Sequence, residues 1–233
     1  MKICATTLGE TAGDLLSMTL NVGYAVSSLI LVGALLCALV LQLAAKSYHP
    51  PLYWLVILLT STAGTTMSDY MDRTLKLGYA NGSLILSGIL LAIFALWRLS
   101  GESFSVSNIK TRKVELLYWT AILFSNTLGT ALGDFLADDS GLGFAGGALL
   151  IGMLLALVVV ATFYSKISKV LLFWVAFVLT RPFGATFGDL LTKTHEKGGL
   201  GFGTIGSSVI LAAILLLLIV YTMRSHDQRP QAI

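Results

Sequence analysis

Charge is scarce in this chain. Aspartate, glutamate, lysine and arginine make up 12% of its 233 residues, against 56% hydrophobic residues. Soluble domains carry about 25% charged residues, so the balance excludes an ordinary water-soluble domain and points to a lipid bilayer as the solvent. Cysteine is nearly absent as well. Cys4 and Cys37 stand in apolar surroundings, which excludes a disulfide framework or a Cys-x-x-Cys metal site and leaves them as small residues packed in helices. The histidines His49, His195 and His226 are scattered, with no ligand spacing between them. No nucleophile–base pair stands out, and Asp72 and Asp138-Asp139 read as solvated loop acids, so a membrane-embedded enzyme is the weakest functional reading. The opening residues 1–7 lack the apolar core expected of a signal peptide.

Long apolar runs fill the space that charge leaves. Residues 26–43, 84–96, 145–163 and 204–221 are mostly uncharged, and the longer runs reach the roughly 20 residues that a membrane span needs. Between them lies an internal repeat. Thr7-Leu-Gly9-Glu10-Thr-Ala-Gly13-Asp14 lines up with Thr62-Ala-Gly64-Thr65-Thr-Met-Ser68-Asp69, Thr127-Leu-Gly129-Thr130-Ala-Leu-Gly133-Asp134 and Pro182-Phe-Gly184-Ala185-Thr-Phe-Gly188-Asp189. The leading glycines are 55, 65 and 55 residues apart. Trp54, Trp119 and Trp174 stand ten residues ahead of three of them, each preceded by an aromatic residue, Tyr53, Tyr118 or Phe173. After each aspartate a Gly-aromatic pair opens the next apolar run: Gly23-Tyr24, Gly78-Tyr79, Gly143-Phe144 and Gly201-Phe202. Matches at fixed offsets over the whole chain mark a repeat architecture.

Each copy supplies two spans. The expected fold is an all-α polytopic membrane protein with about eight transmembrane helices, near 3–19, 23–45, 51–70, 78–98, 115–136, 143–164, 168–191 and 201–222. They form four tandem parallel hairpins around a pseudo-fourfold axis, in a single membrane domain over 1–233 with copies at about 1–46, 47–99, 113–165 and 166–224. The longest connection, near residues 100–113, separates copies one and two from copies three and four. Copy one is short: it has neither the tryptophan nor the first half of its leading helix. Either that span is a half-helix or coding sequence continues upstream of Met1. The second is expected, with an aromatic pair about ten residues before Gly9.

Basic residues in loops set orientation. Lys2, Lys46, Arg98, Lys110, Arg112, Lys113, Lys166, Lys169, Arg224 and Arg229 fall on the side of the termini, against Arg73, Lys76, Lys193 and Lys197 on the other. Both termini are therefore expected in the cytoplasm and the aspartates toward the outer face.

Turning about 100° per residue from each leading glycine places four positions on one polar stripe. Three residues before it stand Thr6, Ser61, Asn126 and Arg181, and two before it Thr7, Thr62, Thr127 and Pro182. One after it stand Glu10, Thr65, Thr130 and Ala185, and five after it Asp14, Asp69, Asp134 and Asp189. Beside the stripe runs a small-xxx-small pair in every copy: Gly9/Gly13, Gly64/Ser68, Gly129/Gly133 and Gly184/Gly188. Such pairs let helix backbones approach closely. The leading helices are expected to form an inner ring packed on these glycines, polar stripe toward the axis, with the apolar helices outside.

Two readings of the aspartates stand: solvated caps of the next helix, or a ring of carboxylates lining a cation path. Intramembrane ionisable residues are costly and usually face a bundle interior or water, and four carboxylates brought close cannot all stay charged without a counter-cation. Glu10, one turn deeper, and Arg181, deeper still, form either a structural pair across the ring or a gating pair. The tryptophans are either an interfacial aromatic belt or a cytoplasmic constriction.

Four tandem two-span copies with a tryptophan ahead of a Gly-x4-Asp helix resemble a bacterial family of integral-membrane proteins known for a repeat of unknown function. The resemblance covers residues 6–221 and implies a multi-pass fold in the bacterial inner membrane, but no activity. From the residues themselves the leading function is a transporter or channel for a cation, with Asp14, Asp69, Asp134, Asp189, Glu10, Thr65, Thr130, Asn126 and Arg181 along its path. The oxygen donors suit hard ions, a divalent metal or a proton-coupled cation, and the stripe has no Cys or Met for a soft ion. The alternative is a structural or assembly subunit. The partners expected are the bilayer and a small cation; no cofactor or nucleic acid is implied, and the identity of any metal stays open. Reporter fusions should place residues 138 and 110 on opposite sides of the membrane; the same side for both would overturn the topology.

Overall fold

The computed structural model describes residues 1–45, 49–101 and 111–227. Lys46, Lys110 and Arg229 of the charge count, and most of the connection near 100–113, lie outside the described residues. Among the described residues the regular structure is helical throughout: α1 (Lys2–Asp14), α2 (Tyr24–Ala44), α3 (Pro50–Asp69), α4 (Tyr79–Leu99), α5 (Arg112–Asp134), α6 (Gly143–Tyr164), α7 (Lys169–Thr192) and α8 (Gly203–Asp227). Five of these, α2, α4, α6, α7 and α8, are long and apolar enough to cross a membrane. Helices α1, α3 and α5 carry the polar stripe, and α1 is also short; their polar residues are buried inside the protein instead of facing lipid. The chain is a multi-pass all-α membrane protein.

The odd-numbered helices close a ring. Helix α1 packs on α3 and α7, and α5 packs on the same two. The even-numbered helices stand outside it, and each leans mainly on the leading helix of the next copy: α2 on α3, α4 on α5, α6 on α7 and, closing the circle, α8 on α1. The last contact includes hydrogen bonds from Ser208 Oγ to Thr11 Oγ1 (2.9 Å) and between the Thr19 and Thr204 hydroxyls (2.7 Å). Outward faces are apolar, with Leu29, Leu91 and Leu217 exposed as lipid-facing residues are. Cys37 lies on this exposed surface of α2, which corrects the expectation that both cysteines pack inside; Cys4 is half-buried against α8, its Sγ 3.4 Å from Leu211 O.

Glycine decides how close the ring helices come. A Cβ built on Gly9 would lie 2.5 Å from Ser61 Cβ, on Gly64 3.1 Å from Asn126 Cβ, on Gly129 2.5 Å from Arg181 Cβ, and on Gly184 2.7 Å from Thr6 Cβ. Each leading glycine thus meets the residue three before the leading glycine of the next copy. One turn on, Gly13 meets Thr65, Gly133 meets Ala185 and Gly188 meets Glu10 in the same way. One contact repeated in one sense around the ring is the physical content of the pseudo-fourfold arrangement.

The aspartates end the regular α-helix in three copies. Residues 15–19, 70–74 and 135–139 continue as single π-helical turns, closed by bonds such as Leu20 N to Leu15 O (2.8 Å) and Leu75 N to Tyr70 O (2.9 Å). Such turns often sit at functional places. In copy four α7 runs on as α-helix to Thr192. The chain then turns into its outer helix through the repeated glycine, which has φ +81° at Gly23 and +74° at Gly78, a region a side chain rarely enters.

Gly129→Leu should push α5 and α7 apart and destabilise the detergent-solubilised protein by at least 1–3 kcal/mol, roughly the cost of overpacking a tight core. Gly33→Ala, in α2 with nothing within 4 Å of an added Cβ, should be neutral or stabilising by up to about 1 kcal/mol. Thermal unfolding of both variants checks this; equal losses would mean that the ring does not rest on its glycines.

Candidate functional site

The centre of the ring is built in layers. In α7, Arg181 stands near the helix midpoint, just ahead of Pro182, and is 0% exposed. Its Nη2 lies 2.9 Å from Glu10 Oε2 and donates to Thr130 Oγ1 at 2.6 Å and to Thr65 Oγ1. It also points to Ser61 O (3.4 Å), while Nη1 points to Thr6 O (3.5 Å). One guanidinium therefore touches the leading helices of all three other copies and lies where the four helices meet. Glu10, Thr65 and Thr130 are equivalent positions, one after the leading glycine. The fourth is Ala185, and the arginine from the turn below supplies the polar group for that quadrant. The structure thus brings Glu10, Thr65, Thr130 and Arg181 together. Asn126 is just off this group: its Nδ2 donates to Thr60 Oγ1 at 3.0 Å. The threonines two before the glycine bond their own helices instead, as Thr62 Oγ1 does to Leu58 O (2.9 Å) and Thr127 Oγ1 to Leu123 O (2.9 Å).

One turn further along lie Asp14, Asp69, Asp134 and Asp189, all buried. In the first three copies they do not cap the following helix: Gly23, Gly78 and Leu142 stand at the N-caps of α2, α4 and α6, with no side-chain cap. Two cations bridge them in pairs. Arg73 reaches Asp69 with Nε at 2.9 Å and Asp134 with Nη2 at 3.3 Å. Lys193 Nζ lies 2.8 Å from Asp14 and 3.0 Å from Asp189. Each cation bridges its own copy to the next.

Sequence reasoning placed Arg73 and Lys193 only as loop charges of the sparsely basic side. The missed signal was their spacing, four after the aspartate, which puts them on the same helix face one turn on. The equivalent residues in copies one and three are Met18 and Asp138, so the clamp alternates around the ring. Asp138 and Asp139 are exposed, whereas Asp72 is buried beside α4 and accepts from Ser68 Oγ at 3.2 Å.

In these layers five carboxylates thus face three cations, a formal excess of two negative charges, and a fourth cation, Lys2, has its Nζ buried nearer the other end of the axis. Oxygens of Glu10, Asp134 and Asp189, from three different copies, lie within 4.8 Å of one another. A cation between them would have three carboxylate ligands, with threonine hydroxyls on the same wall. That donor set suits hard ions.

Toward the other end the axis is lined mainly by apolar side chains, with Lys2 as the one charged residue of the next layer among the described residues. Seven residues before the leading glycines stand Ile57, Ile122 and Phe177, all buried, with Lys2 Nζ 3.8 Å above the Phe177 ring. Beyond them the aromatic pairs interlock between copies. Tyr53 meets Trp119 at 5.7 Å and Tyr118 meets Trp174 at 6.2 Å, and the two tyrosine hydroxyls are 3.1 Å apart. Trp97, from the outer helix α4, packs edge-on against Trp174 at 5.7 Å. Trp119 and Trp174 are buried, and Trp54 is half-buried, so this is an inward cluster and not a lipid-facing belt. Trp97 carries no repeat signal, which is why sequence reading passed over it.

Replacing Arg181 with Met leaves Glu10 buried without its charge partner and should cost about 3–5 kcal/mol of stability. Adding Glu10→Gln removes that orphaned charge and should recover most of the loss. Thermal unfolding of the single and double variants in detergent measures it; a double variant no more stable than Arg181→Met would mean the pair is not coupled.

No curated protein and no solved structure matches the chain. Residues 1–48, 52–103, 117–168 and 172–228 each match the family model described as Repeat of Unknown Function (DUF347). Those four segments take in nearly the whole length, and the chain belongs to the DUF347 family as four tandem copies of its repeat.

Proposed function

We propose that this protein carries a cation across the membrane along the ring axis, as a transporter with an occluded centre and not as an open channel. One observation carries the reading: five buried carboxylates at the axis of a membrane-embedded ring, more than the buried Arg181 and Lys2 Nζ and the partly exposed Arg73 and Lys193 can match one for one. Burying charge at membrane depth is expensive, and such residues as a rule mark ion pathways or proton relays. Packing does not require it, since the glycine faces already join the helices. The oxygen donors favour a hard cation, a divalent metal or a cation exchanged for protons. Arg181 closes the axis near its midpoint, beside Glu10, where transporter sites are usually found; the aspartates then form the mouth and the aromatic cluster the opposite seal. By the distribution of basic residues, the aspartate mouth faces outward and the termini lie in the cytoplasm of a bacterium, with the protein in its inner membrane. The competing reading is an assembly subunit, favoured by the fact that every aspartate already has a side-chain cation.

Uptake of divalent and monovalent cations into proteoliposomes separates the two, with wild type set against Asp14→Asn, Asp69→Asn, Asp134→Asn and Asp189→Asn. Asparagine keeps size and hydrogen bonding and removes charge. Flux should fall at least about tenfold for Asp134→Asn and Asp189→Asn, equivalent to losing about 1.4 kcal/mol of cation stabilisation. Four variants that fold and transport like wild type, or a wild type that moves no cation, would leave the assembly reading standing.

A further inference from the structure

We infer that Lys193 is a tethered counter-ion that a transported cation must displace, and that Arg73 is its fixed counterpart on the opposite side of the ring. This inference rests on the cation-transport reading. Each of the two side chains sits between two aspartates of adjacent copies, where a free cation would sit: Arg73 between Asp69 and Asp134, Lys193 between Asp189 and Asp14.

Exposure shows which half of each pair can leave. The Arg73 and Lys193 side chains are 30% and 19% exposed, whereas the aspartates they hold are 2–4% exposed. A rotation of the basic side chain into water therefore uncovers the site, and the carboxylates stay in place. A tethered cation also leaves these acids incompletely satisfied. Asp14 Oδ1 and Asp69 Oδ2 are buried with no hydrogen-bond donor among the described residues. A lysine offers one point charge, whereas a metal ion with its waters gathers six or more oxygens.

The two clamps are unequal. Arg73 is further held by a hydrogen bond from Nη1 to Tyr24 Oη at 3.3 Å and lies 5.7 Å from the Tyr79 ring centroid. Its planar fork spans two carboxylates with different nitrogens, a rigid arrangement. Lys193 follows the last residue of α7, and its Nζ is shared between Asp14 and Asp189 on a flexible stem. Lys193 is the one to yield. Its departure frees Asp189, which also belongs to the Glu10–Asp134–Asp189 group. The Lys193 clamp thus guards the way from the mouth to the three-carboxylate centre, and its strength sets how tightly the protein can hold a cation there.

The test is Mn2+ binding to the purified full-length protein in detergent, by calorimetry. Lys193→Gln should bind Mn2+ at least about tenfold more tightly than wild type, a change of about 1.4 kcal/mol, because the ion no longer competes with an ammonium. Lys193→Arg, which keeps the charge, should bind no more tightly than wild type, and Arg73→Gln should shift affinity less than Lys193→Gln. A second measurement needs no variant. Acylation of Lys193 in the wild type, followed by mass spectrometry, should quicken several-fold when Mn2+ is added, because the displaced amine becomes free. Wild-type Mn2+ binding with unchanged Lys193 acylation, or with Lys193→Gln binding no more tightly, would overturn the displaced counter-ion alone. Absence of Mn2+ binding in every protein tested would overturn it, and the proteoliposome flux then decides separately whether the cation reading beneath it stands.

Discussion

Every distance at the centre of this protein follows from glycine backbones lying against the next helix in a closed circle. Where Gly9, Gly64, Gly129 and Gly184 remove a Cβ, the neighbouring helix comes in until the side chain three before its own glycine fills the notch. Lipid offers no hydrophobic drive to join helices, so close backbone packing, together with hydrogen bonds between helices, is what can hold them. Once the ring is that tight, side chains on the adjacent face have nowhere to go except the axis. Arg181, Glu10 and the aspartates are therefore brought together by packing, and their charges must find partners there.

On this fourfold scaffold the charges obey lower symmetry. The four aspartates keep the repeat, the bridging cations Arg73 and Lys193 occur in alternate copies, and Arg181 occurs once. Four identical cations would cancel the four aspartates, and four arginines at the centre would repel one another at close range. Divergence among the copies resolves both problems: one guanidinium serves three neighbours, and two bridging cations serve four acids. A formal excess of negative charge remains along the axis.

The swapped arrangement of the outer helices adds a second constraint. Each apolar helix leans mainly on the leading helix of the next copy and touches its own copy less, chiefly at the connecting turn or, in copy four, between α7 and α8. The copies depend on one another for burial, and a displacement of one leading helix is passed to its neighbours through both the ring and the outer layer. A site made of residues from three copies, as Glu10, Asp134 and Asp189 are, is the natural product of such a scaffold.

The sequence alone was sufficient for the membrane class, the four copies, the two helices in each, the inner ring on its glycines and the inward polar stripe. All of these are periodic, and periodicity survives translation into helices with about 3.6 residues per turn. It also pointed to the Glu10–Arg181 pair, because two opposite charges so deep in apolar helices have little choice of partner. What it left open is everything that depends on which helix stands beside which. The pairing of α2 with α3 and α8 with α1, the inward turn of the tryptophans, and the reach of Arg73 and Lys193 across to a neighbouring copy's aspartate were decided only by the tertiary structure. A long, flexible basic side chain near a helix end can turn to water or to a carboxylate, and only the place of the next helix settles which one it does.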